Sequence, residues 1–170
     1  EKSITVDKGV LDNVESSMSS GYYERFTKLP GINDKGKAQD MFEFLASNSD
    51  VEWGFITTAQ RDNQGVHGYR TTIVTNHLND QVPILKTFAS AYVEQSQTTN
   101  LIISEISHSH PENLRPSGYY PDGSPEATSR GDRQMAELIE NNYRKSLIKF
   151  GVLVVPTRQW IYYNSRKIHQ

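Results

Sequence analysis

Apolar and polar positions alternate along this chain with two different periods. In GKAQDMFEFLASNSD, Ala38, Met41, Phe42 and Leu45 recur at helical spacing, and Asn48-Ser49 ends the run. VEWGFITTA (51–59) is rich in β-branched and aromatic residues and predicts a strand. RDNQG then supplies a turn, and VHGYRTTIVTN (66–76) a second strand, so the two form a hairpin. From Val82 to Val93 the period is helical again, with Ile84, Leu85, Phe88, Ala89 and Tyr92 on one side. TNLIISEISHS predicts a third strand. ENLRPSGYYPDGSPEA is a long polar loop with turn chemistry at Pro121-Asp122-Gly123. Ser129 to about Lys145 predicts a helix whose Met135, Leu138, Ile139 and Tyr143 face one way, and FGVLVVP and QWIYYN close the chain as two strands.

The predicted order is helix, two strands, helix, strand, helix, two strands. That is an α+β or mixed α/β domain, one central sheet with helices packed against it. Residues 1–36 lack either period. They are rich in Gly, Ser and Asp with scattered aromatics (Tyr22, Tyr23, Phe26), and read as irregular apart from one short strand or helix. They are either part of the domain over 37–170 or a remnant of a parent chain.

Composition narrows the class. A chain of 170 residues fits one domain with a sizeable core. A net charge of -2 offers no bulk electrostatic attraction to nucleic acid or to a membrane surface. No apolar run is long enough for membrane insertion as a spanning helix. EKSITVDKGV has no apolar core, so no signal peptide is read in this segment, and Glu1 in the place of an initiator Met predicts a piece of a longer chain. With no cysteine, disulfides, Cys-ligated zinc and thiol nucleophiles are all excluded.

The chemistry lies in HSHP, residues 108–111. On a strand, residues i and i+2 point to the same face with Cα atoms roughly 7 Å apart, so the rings of His108 and His110 can converge on one ion. Alone, the pair also reads as a polar strand end. A catalytic zinc typically has three protein ligands and one open position, and SRGD (129–132) offers a third. Ser129 and Asp132 stand three apart at a predicted helix start, and the same [ST]-x-x-[DE] spacing is also that of a capping box.

His108-Ser-His110-Pro111 followed by Ser129-x-x-Asp132 resembles the JAMM (MPN-plus) zinc metalloprotease motif. The resemblance implies that His108, His110 and Asp132 bind Zn2+ and that Ser129 helps to hold the reacting group. It also implies a glutamate from an earlier strand acting on an activated water. Glu52, a carboxylate on an otherwise apolar strand, fits that role, with the alternative that it is an exposed strand position. Glu105 is nearer in sequence, but alternation turns it to the face opposite the histidines. The resemblance covers roughly residues 37–164 and implies an MPN/JAB-like (cytidine-deaminase-like) fold. FEFLASNSDVEWGFI, the HSHP box and the long loop more narrowly resemble the JAB-like toxin domains at the C-terminal ends of polymorphic toxins, including chains with RHS repeats.

What that implies is a hydrolase of peptide or isopeptide bonds acting as the effector of a larger bacterial protein. The larger protein would be secreted or delivered into a target cell, with a protein or peptide substrate and a cognate immunity protein as partners. The chain departs from the family in one respect. Asp132 lies about twice as far from His110 as is usual, which implies an insertion at 112–127, a candidate substrate-contacting loop. Asp122 is nearer to the usual distance but stands in a Pro-Asp-Gly turn, with Tyr119 in the serine's place. Two other readings stand beside the enzyme: a non-catalytic MPN-type interaction module, and a closed structural zinc site. His67 and His77 are expected to be exposed or satisfied by hydrogen bonds. Trp160, Tyr162 and Tyr163 are expected to pack in the core rather than stack on bases, in keeping with a chain that binds no nucleic acid.

Overall fold

The computed structural model describes residues 14–19 and 22–169, with side chains from residue 25 onward. Among the described residues, three helices accompany eight strands, which form one sheet in the order β1-β2-β4-β3-β5-β6-β7-β8. They are β1 (Val14–Ser19), β2 (Tyr22–Lys28), β3 (Gly54–Asp62), β4 (Gly65–Thr75), β5 (Leu101–His110), β6 (Lys149–Val154), β7 (Gln159–Asn164) and β8 (Lys167–His169). All neighbours are antiparallel except β5 and β6, which are parallel and joined through α3 (Gly131–Asn142). Such a connection needs the length that a crossover helix supplies. The mixed α/β class read from the sequence is the class observed.

Three helices cover the two faces. The first, α1 (Lys35–Ser47), is capped by Asp34, whose Oδ1 accepts from the Lys37 N–H at 2.9 Å. It buries Ala38, Phe42, Leu45 and Ala46 among Leu29, Trp53, Phe55, Ile73 and Leu153 on one face of the sheet. The second, α2 (Pro83–Ser96), opens with Pro at its first turn, where a missing N–H costs nothing. With α3 it covers the other face, where Ile84, Leu85, Ala89, Ala136 and Ile139 pack on Ile56, Ile106, Phe150, Val152 and Tyr163. This second face carries the histidines.

Four boundaries differ from the sequence reading. Residues 14–19 and 22–28, read as irregular but for one short element, are two strands, and β2 hydrogen-bonds to β4. Both are short, and β2 pairs with a strand far later in the chain, which local spacing does not register. The strand read over 51–59 begins at Gly54 and runs to Asp62. The helix read from Ser129 begins at Gly131 and ends at Asn142. The short edge strand β8 follows a tight turn and was not expected.

Candidate metal centre

Sheet register assembles the centre. Gly54 is the Cα partner of His108 across β3 and β5. The pairing continues one step beyond the strand: Ser109 N–H donates to the Trp53 carbonyl at 2.8 Å, and Trp53 N–H donates to Ser109 Oγ at 2.9 Å. Stepping back two residues from Gly54 and forward two from His108 sets Glu52 opposite His110 on the same face. Glu52 thus lies in the extended lead-in to β3, not within a strand as the sequence suggested. Its backbone is tied on both sides: the N–H donates to Leu78 O at 2.7 Å, and the carbonyl accepts from Thr75 Oγ1 at 2.6 Å.

The side chains converge. His108 and His110 are 3% and 4% exposed, and their Nε2 atoms are 3.1 Å apart. Asp132, on the first turn of α3, brings Oδ1 to 2.9 Å from His108 Nε2 and Oδ2 to 3.4 Å from His110 Nε2. Glu52, 3% exposed, lies one step further out, its Oε1 3.9 Å from His110 Nε2. One nitrogen from each histidine and one Glu52 oxygen all fall within 4.8 Å of one another. A tetrahedral ion bonded at about 2.0–2.1 Å sets its ligand atoms about 3.3 Å apart. The 3.1 Å and 2.9 Å separations are close to that edge length. Two imidazoles with one or two carboxylates are a donor set suited to zinc and related divalent ions. Both Nδ1 atoms are buried with no hydrogen-bond partner, so the polar contacts of each ring run through its Nε2.

Burial and charge act on the two carboxylates in opposite directions. Burial pushes the Glu52 carboxyl up from its ordinary 4.5 to about 8; His110 works against this, while Asp132 and Asp80 add to it. Burial also pushes Asp132 up, but attraction and hydrogen bonds to His108 and His110 outweigh it and hold the group well below the usual carboxylate range. The cluster therefore contains one carboxyl poised to carry a proton near neutrality and one held ionised.

The two rival carboxylates lie elsewhere. Glu105 turns to the opposite face and accepts from Ser107 Oγ at 2.9 Å. Asp122 caps its own turn, accepting from Ser124 N–H at 2.9 Å. Ser129 does not form the expected capping box: the helix cap position is Arg130, without a side-chain hydrogen bond, and Ser129 Oγ is buried and unpartnered. The cap comes from Ser117, which the sequence did not single out. Its Oγ accepts from Asp132 N–H at 2.8 Å, and its own N–H donates to Asp132 Oδ2 at 2.7 Å. His67 pairs with Asp62 at 2.8 Å and His77 with Thr27 at 2.8 Å, away from the cluster. Tyr163 is buried in the core, and Trp160 packs on Phe42 and Phe55.

The family model of JAB-like toxin 1 matches residues 31–137. The chain belongs to the JAB-like toxin 1 family. The matched span holds Glu52, His108, His110 and Asp132, so the buried cluster lies inside the region that defines this JAB-like toxin domain. Searches of the curated proteins and of the solved structures found no match. Among the described residues, no helix is long and apolar enough to cross a membrane.

Proposed function

We propose that this chain is a zinc-dependent peptidase or isopeptidase of the JAMM type, acting as the effector domain of a larger bacterial toxin. The observation that carries the reading is the convergence of His108 and His110 Nε2 with Asp132 Oδ1, at 3.1 and 2.9 Å, beside the buried Glu52. His108, His110 and Asp132 would hold the ion. Bound there, zinc supplies a water activated near neutral pH and a Lewis acid for the scissile carbonyl.

The chain's own residues do the rest. Glu52, just outside the three ligands, is the general base and then the general acid. It accepts a proton on its carboxylate and returns it to the leaving nitrogen. A carboxyl that burial has raised to about 8 carries a proton readily at neutral pH, which suits the second half of that cycle. With a cation held by the neighbouring ligands, the affinity of Glu52 for that proton would fall, which suits the first. Ser129 has a buried hydroxyl with no protein partner, free to donate to the oxygen on which negative charge develops.

Membership of the JAB-like toxin 1 family supports an effector delivered into a target cell. In that setting the substrate is a protein or peptide of the target, and an immunity protein protects the producer. The test of the enzyme reading is elemental analysis of purified wild type, His108→Ala and Asp132→Ala. The expected result is about one zinc per wild-type chain, retained through dialysis, and none in either variant. A wild-type chain that takes up no zinc even from excess would return the fold to the role of an interaction module.

A further inference from the structure

We infer that Ser117 is the positioning residue of the centre: it fixes the carboxylate of Asp132 so that Oδ1 is held toward His108. The inference rests on the proposed ligation of the ion by Asp132. In an ordinary capping box, a cap hydroxyl accepts from a first-turn N–H while that first-turn residue's side chain accepts from the cap's own N–H. Ser117 and Asp132 make this same reciprocal pair, at 2.8 and 2.7 Å, although fifteen positions separate them. A third bond, Arg133 N–H to Ser117 O at 3.2 Å, locks the segment against the helix start. With Oδ2 engaged by the Ser117 N–H, Oδ1 is the oxygen left to meet His108.

The approach is built into the backbone. Gly131 has φ +52°, and a Cβ there would lie 2.0 Å from Ser117 Oγ. Gly118 has φ +88°, and a Cβ there would lie 2.7 Å from both Arg130 O and Arg133 Cβ. Glycine takes these conformations without strain and, lacking a Cβ, leaves this space. Arg133 then ties the far end of the loop, donating from Nη1 to Glu126 O at 2.5 Å and from Nε to Ser165 O at 3.0 Å. The loop after HSHP is therefore a clamp on the ligand-bearing turn of α3. The unusual spacing between His110 and Asp132 is accommodated because Ser117 takes the capping position that Ser129 leaves vacant.

A helix cap without this role is the competing explanation, and metal affinity separates the two. Zinc affinity would be measured by competition with a chromophoric chelator for wild type, Ser117→Ala, Ser117→Thr and Asp34→Ala. Asp34 caps α1 through Lys37, on the opposite face of the sheet, and serves as the cap-only control. Ser117→Ala removes the hydroxyl that seats the loop on the Asp132 N–H, which frees the Ser117 N–H to drift from Oδ2, and is expected to lose affinity roughly ten- to a hundredfold, as for other residues that orient a ligand. Ser117→Thr should recover most of it, and Asp34→Ala should bind zinc as wild type does while melting lower.

Wild-type zinc binding by Ser117→Ala, with only a lowered melting temperature, would overturn the inference and leave the enzyme reading standing. A wild type that binds no zinc overturns both. If Ser117→Ala does not fold, amide exchange of the wild type decides. Zinc should slow exchange at Ser117 and Asp132 more than at the Lys37 amide of the remote cap; equal slowing overturns the inference.

Discussion

Glu52 and His110 face each other across the β3–β5 register, with the Glu52 carboxylate 3.9 Å from the imidazole and both side chains shut off from solvent. That distance sets Glu52 just outside hydrogen-bond contact with His110. Glu52→Gln keeps the shape and removes the proton carrier. It is expected to retain zinc while peptide hydrolysis falls by roughly 10²–10⁴-fold, the usual range for a general acid–base. Metal content and turnover measured on the same preparation check this. Loss of zinc together with activity would make Glu52 a ligand instead.

The same carboxyl opposes folding as pH rises. Its value goes from 4.5 in the unfolded chain to about 8 in the folded one. A group raised in this way contributes fully to stability below 4.5, and that contribution is lost as pH climbs through 8. In chelator-treated protein, Glu52→Gln should therefore become more stable relative to wild type between those limits, by on the order of 2–4 kcal/mol across the window. Denaturant midpoints from pH 4 to about 9 would reveal it. A gap that stays constant with pH would mean that the carboxyl is not desolvated.

Asp132 and Asp122 are separated by their surroundings more than by their distance along the chain. Asp132 meets both histidines, whereas Asp122 accepts from Ser124 in an exposed turn. Asp122→Asn should leave zinc affinity unchanged and cost well under 1 kcal/mol, as surface substitutions usually do. Zinc titration beside Asp132→Asn is the measurement, and reduced affinity in the Asp122 variant would reverse the assignment.

Periodicity carried the reading of the fold where elements were long and half-buried. The strand ending in HSHP has its histidine pair on one face as alternation requires, and α1, α2 and β4 fall close to where their apolar spacing set them. Glu52 was singled out by the resemblance, which asks for a glutamate before the histidines, and the structure buries it beside them. Its exact seat was not legible, because the lead-in is held by Leu78 and Thr75, contacts that local spacing does not encode. The cap on α3 was misread for a similar reason. SRGD has the spacing of a capping box, but Gly131 takes a positive φ there, and a serine fifteen residues before Asp132 fills the position. Long-range hydrogen bonds of this kind leave no local pattern. The two N-terminal strands, paired through β4, leave none either.

Gly131 tests how tightly that loop is seated. Alanine there must take a φ of +52° and set its methyl group 2.0 Å from Ser117 Oγ. The left-handed conformation costs roughly 1–2 kcal/mol, and displacing the hydroxyl adds a comparable amount through strain. Gly131→Ala should destabilise the chain by about 2–4 kcal/mol. Urea unfolding measures it, and a change within 0.5 kcal/mol or so would mean that the loop moves aside freely.

Ser109, the residue between the two histidines, has the most direct structural consequence in the motif. It turns to the face opposite the cluster, fully buried, and its Oγ accepts from the Trp53 N–H at 2.9 Å while its own N–H donates to the Trp53 carbonyl. These two bonds extend the β3–β5 register beyond Gly54 and so hold Glu52 opposite His110. Ser109→Ala leaves the Trp53 N–H buried without that acceptor, at a cost of about 1–3 kcal/mol. Loosening the lead-in should also lower turnover while zinc affinity stays near wild type, because His108, His110 and Asp132 do not depend on Trp53. Ser109→Thr, which restores the acceptor, should recover part of the loss. Turnover and zinc affinity falling together in Ser109→Ala would instead tie Ser109 to the histidines themselves.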